Sequence, residues 1–155
     1  MTTQEILSNL FCSFMGTVGF AIMYNVPSKY YIGCGVTGMA GWIMFLIVNA
    51  QNYMTSAVAS FFGAFVVVLM SRILSVRMKC PITIFLISGI FPLVPGVGIY
   101  NTVYYIVTNQ LTQAALKGIE SFKIAFAIVM GIVIVVSIPR DVFHKVYYWF
   151  AAGKD

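Results

Sequence analysis

Two prolines and two glycines fall inside one apolar stretch, Phe91-Pro-Leu-Val-Pro-Gly-Val-Gly-Ile-Tyr-Asn101, and they set what chemistry this chain can do. A membrane helix interrupted in this way frees backbone N–H and C=O groups, which a bilayer tolerates only where protein or a watery cavity satisfies them. Breaks of this kind often line substrate sites in transporters. If the helix stops near Pro92 and restarts around Gly98, the N–H groups of the new N-terminus carry a partial positive charge suited to a carboxylate. Gly96 and Gly98 permit close approach, and Tyr100, Asn101, Thr102 and Tyr104 present hydroxyl and amide groups over the next two turns. The candidate substrate-binding set is therefore Pro92, Pro95, Gly96, Gly98, Tyr100, Asn101 and Thr102. The same residues also fit a proline kink whose freed groups are met by neighbouring helices.

Other chemistries lack their residues. Outside the termini Glu120 is the one acidic side chain, so no acidic pair exists for proton relay or cation coordination. Cys12, Cys34 and Cys80 lie far apart, with no Cys-x-x-Cys pair and no nearby histidine, so they read as small buried hydrophobes and imply no metal or cofactor. Pro95-Gly-Val-Gly98 is only a fragment of a phosphate-binding pattern, with no strand before it and no lysine after it. His144 stands alone in an aromatic and basic tail, and an enzyme reading has nothing else to rest on.

The elements that must position the break are membrane helices. Of 155 residues 61% are hydrophobic and 8% charged, against roughly a quarter charged in soluble domains. The net charge of +5 comes from Lys and Arg spread between apolar runs, with no basic block for nucleic acid, so these residues act as topology signals. A single transmembrane domain over 1–155 is expected, all-α, with about five crossings. The runs are 6–26, 30–50, 54–74, 81–107 broken at 92–98, and 122–138, followed by an interfacial tail over 139–155. The first run lacks a basic n-region and a small-residue cleavage site, and is read as a retained helix. From Pro81 to Val107 there are 27 residues without a charge, more than the ~20 that span a bilayer, and the break takes up the excess.

Small residues recur every four positions in the second run (Gly33, Thr37, Gly41) and the third (Ser56, Ser60, Ala64), which makes flat faces for close helix packing. Arg72, Arg77 and Lys79 form the densest positive cluster and belong in the cytoplasm, which puts the N-terminus outside. Arg72, closest to the apolar run, can snorkel out or face a cavity. Lys117 and Lys123 then fall outside, a mild conflict that a re-entrant hairpin over 81–107 would remove.

The order Gly19-Phe20, Tyr24-Asn-Val-Pro27, a glycine-rich run leading to Gly41-Trp42, basic residues after the third run, then Pro81 and Phe91-Pro-Leu-Val-Pro-Gly96 resembles the threonine/serine exporter family. It is similar in particular to the short subunit of the two-component members. The resemblance covers nearly the whole chain, with Pro92, Pro95 and Gly96 as its matched motif positions. It implies export of small hydrophilic metabolites, threonine and serine or a small dicarboxylate, across the cytoplasmic membrane. It also implies a larger membrane partner, which could hold the coupling charges missing here. A structural or assembly subunit that never touches substrate, and a homo-oligomeric channel, are the other readings of the same residues.

Overall fold

The computed structural model describes residues 3–51 and 53–138, apart from the side chains of Thr3 and Glu5, and the expected tail over 139–155 lies outside the described residues. The described chain is helical, with no strand. Helices α1 (Thr3–Met23), α2 (Tyr31–Asn49) and α3 (Ser56–Met78) are followed by the short α4 (Thr83–Ile90), a 3-10 turn at Phe91–Leu93, α5 (Gly96–Val107) and α6 (Leu111–Val136). Four helices are long and apolar enough to cross a membrane, or five if α4, the turn and α5 make one bent span. The chain is therefore a multi-pass membrane protein. Its large exposed side chains, such as Leu7, Phe11, Ile32 and Val129, are the apolar surface that lipid requires.

The last helix begins earlier than expected. Residues 111–121, which fall between the expected runs 81–107 and 122–138, are the first turns of α6. The charges there do not oppose a helix, because Lys117 Nζ lies 3.0 Å from Glu120 Oε2 one turn on. That pairing also lightens the positive charge at this end of the molecule.

The small-residue faces are occupied within the chain. Phe85 lies against Gly33, Thr37 against Gly89, and Leu93 against Gly63 where α2 and α3 cross at Gly41. Each partner in the second helical segment is a constant step along from its partner in the first, so α4 runs parallel to α2. At the α2–α3 crossing the absence of side chains is required, since a Cβ on Gly63 would fall 3.0 Å from the Gly41 carbonyl oxygen. Helix α6 runs parallel to α3: Gly131 packs on the Phe61–Phe65 backbone, and the end of α6 reaches Arg72.

Arg72 does not snorkel. It is 9% exposed, and its guanidinium donates from Nη1 to Ile138 O at 2.8 Å and from Nη2 to Val136 O at 2.6 Å. The last carbonyls of a helix have no partner within it and carry its negative end, so a cation from α3 caps α6. Three further chain reversals, after α1, α3 and α5, place Asn25, Lys79 and Asn109 in the left-handed region at φ 54°, 51° and 62°. Asparagine adopts that conformation more readily than other residues with a side chain, so two of the three stops suit their residue.

Candidate functional site

The break is made by the two prolines. Neither has an N–H to donate to a carbonyl four residues back, and Pro95 disfavours helical geometry at Val94. Val94 is extended at ψ 130° and Pro95 follows at ψ 58°. The freed groups bond locally, Val94 N–H to Phe91 O at 3.1 Å and Gly96 N–H to Val94 O at 2.7 Å. Ile99 N–H then returns to Pro95 O at 3.0 Å, which starts the regular pattern of α5. The helix therefore resumes at Gly96, two residues before the expected Gly98, and the two halves meet at a bend of 53°.

The depth of the break follows from its neighbours. Leu93 packs where Gly41 meets Gly63, eight residues short of the end of α2, which is about 12 Å at 1.5 Å per residue. Helix α5 is 12 residues or about 18 Å long and, bent by 53°, rises about 11 Å along the direction of α4. The second half of the segment thus climbs as far as the ends of the helices beside it.

Beyond the break, the predicted residues are distributed along α5 and do not converge. Gly98 is where α5 and α6 touch, and a Cβ there would overlap Ser121 Oγ. Thr102 donates its hydroxyl to Gly98 O at 2.8 Å, and its methyl group faces Gly118 of α6. Asn101 is half-buried, and Gly96 is exposed with open space where a side chain would be. Tyr100 is 68% exposed and stacks on Tyr104 with ring centroids 6.5 Å apart. No residue of α5 is buried, and its main packing within the chain is against α6.

Pro92 faces elsewhere. It and Phe91 close one side of a cavity of about 220 Å³, whose other walls are Asn9, Cys12, Ser13, Gly16 and Phe20 of α1 and Trp42 of α2. Phe20 stacks on Phe91 at 3.7 Å between centroids, and Trp42 stacks on Phe45 at 5.0 Å, so two aromatic pairs brace the walls. Two polar atoms of this lining, Ser13 Oγ and Trp42 Nε1, are buried with no hydrogen-bond partner among the described residues. No charged side chain lines the cavity.

Asn9, Ser13 and Trp42 lie outside the candidate set drawn from the sequence. The available signal was the succession Asn9, Ser13, Gly16 and Phe20, whose spacings of four, three and four put polar and small residues on one face of an apolar helix. Of the seven predicted positions, Pro92 is the one in this cavity wall.

Comparison with curated proteins and with solved structures returned no match. A family model described as threonine/serine exporter, ThrE, matches residues 9–138, most of the chain, and includes α1 from Asn9 onward, both halves of the broken segment and all of α6. The chain belongs to the threonine/serine exporter family.

Proposed function

We propose that this chain is the small subunit of a two-component exporter in the cytoplasmic membrane, that it passes small amino acids such as threonine and serine or small carboxylates, and that the broken segment forms part of the substrate path. The observation that carries this reading is the break itself, an irregular backbone at membrane depth with a cavity against its first half. Unwound backbone at that depth is found where it borders protein or a watery space. Pro92 and Pro95 create the irregularity, while Gly96, Gly98, Tyr100, Asn101 and Thr102 supply the helix that leads from it toward the outer face.

The larger partner is supported by α5. Tyr100, Tyr104, Val97 and Val107 are at least half exposed on a helix whose main packing among the described residues is against α6. Tyrosine hydroxyls at this depth gain from a second protein surface, since hydrocarbon offers them no hydrogen bond. The glycine-rich faces of α2 and α3 do not fill that role, because α1, α3, α4 and α6 already cover them. The coupling charge that this chain lacks would sit in the partner.

The test is efflux from proteoliposomes loaded with threonine, serine or succinate, containing the larger subunit, this chain, or both. Efflux only when both are present is the expected result. Efflux by the larger subunit alone at the full rate would reduce this chain to an assembly factor, and efflux by this chain alone would make it a homo-oligomeric carrier.

A further inference from the structure

Among the described residues, the buried serine and threonine hydroxyls follow a rule with one exception. Thr17, Thr37, Ser60, Ser71, Ser88 and Ser121 are buried, and each donates to the backbone carbonyl four residues earlier at 2.7–2.8 Å. That bond is the ordinary way for a hydroxyl to satisfy itself inside an apolar helix. Ser13 is just as buried, at 8% exposure, yet its hydroxyl does not return to Asn9 O and has no partner among the described residues. Its own carbonyl is taken by Thr17. Trp42 Nε1, on the opposite wall of the same cavity, is also unpartnered. A buried donor left unsatisfied loses its hydration with nothing in return. Two such donors on residues that line one cavity, while the six other buried serine and threonine hydroxyls are satisfied, mark a place built to receive an acceptor from outside the chain.

The chemistry of the donors names the acceptor. An indole N–H only donates, a serine hydroxyl can donate, and the Asn9 amide on the same wall adds two more N–H groups. The lining has no acidic side chain to repel an anion and no cation to hold one permanently. At about 220 Å³ the cavity is below the range of drug-sized pockets, which starts near ~300 Å³, and suits a metabolite of a few carbon atoms. Stacked Phe20 and Phe91 offer the rest of such a molecule an apolar wall. We infer that Asn9, Ser13 and Trp42 form the carboxylate-recognising subsite of the substrate path, on the α1–α2 side of the break. This rests on the export reading above and moves the point of recognition from α5 to the opposite side of Pro92.

Trp42 reports on its own site. The chain has two tryptophans, and Trp149→Phe leaves Trp42 as the sole indole in the full-length protein. In lipid nanodiscs, L-threonine or succinate should change its fluorescence saturably, while threoninol, in which the carboxylate is replaced by an alcohol, should not. Ser13→Ala should weaken the response about tenfold or more, the usual loss when a hydrogen bond to a charged group is removed. Its thermal unfolding midpoint should be unchanged or higher, because an unpartnered oxygen has been removed. Asn9→Ala is the second variant and should also weaken binding. The subsite is overturned by an absent response, by an equal response to threoninol, or by Ser13→Ala and Asn9→Ala proteins that bind normally. Efflux separates this failure from that of the export reading: if efflux still requires this chain while Ser13→Ala leaves it intact, the subsite falls and the exporter stands.

Discussion

At Arg72 a side chain that the sequence left to snorkel out or face a cavity has a structural job. Its two N–H groups bond Val136 O and Ile138 O, the carbonyls that α6 cannot satisfy itself. A hydrogen bond to a charged group contributes about 1.5–3 kcal/mol, and leaving partly buried helix-end carbonyls bare adds a penalty. Replacing Arg72 with methionine should therefore lower stability by about 3 kcal/mol or more, and lysine should recover only part, because an ammonium cannot fork between two carbonyls. Chemical unfolding in detergent measures this. Unchanged stability together with lost efflux would return Arg72 to the substrate path. The Lys117–Glu120 pair, exposed on one helix, is by contrast worth little, and its loss should leave unfolding unmoved.

Among the helices, the hairpin of α5 on the first half of α6 packs most tightly at Gly98. At Gly98 a larger side chain meets Ser121, so Gly98→Leu should push the two helices apart and cost about 1–3 kcal/mol by overpacking. Gly96 has open space around the position of a Cβ, so Gly96→Ala should be neutral or gain up to about 1 kcal/mol from helix propensity. Unfolding midpoints of the two variants, measured side by side, check the contrast. Both residues read alike in the sequence, as glycines permitting close approach, and only the position of α6 separates them. The apolar runs and the proline break were legible because composition and missing N–H groups act locally. The start of α6 at Leu111 was not, since its first turns carry Thr112, Gln113 and Lys117 and become helical by packing along α5 and pairing Lys117 with Glu120. The cavity was invisible for a similar reason. Asn9 and Ser13 are 29 to 33 residues from Trp42, and nothing local announces that α1 turns them toward it.

The orientation of the whole bundle follows from two parallel pairs. Helices α2 and α4 run one way and α3 and α6 the other, with Leu93 at Gly63 and Gly131 at Phe61 fixing the alignment. Parallel α3 and α6 begin on the same side, which favours a bent single span between them over a re-entrant hairpin. With the basic cluster at the end of α3 in the cytoplasm, the loop carrying Gln51 and the start of α6 at Gln113 should be labelled from the outside, and Cys80, after α3, from the cytoplasm. Membrane-impermeant maleimides test this on Gln51→Cys and Gln113→Cys made in a chain whose other cysteines are serine, and separately on a chain keeping only Cys80. Burial pushes the Cys80 thiol above its ordinary pKa range, with the Tyr30 hydroxyl and Lys29 opposing in part. An acid whose pKa is raised stays neutral to higher pH, and the thiolate is the form that reacts, so Cys80 should label slowly at neutral pH and faster as pH rises. Labelling of Gln113→Cys from the side that labels Cys80 would overturn the five-crossing arrangement. It would also turn α5 back toward the cytoplasm and remove it from any path leading outward.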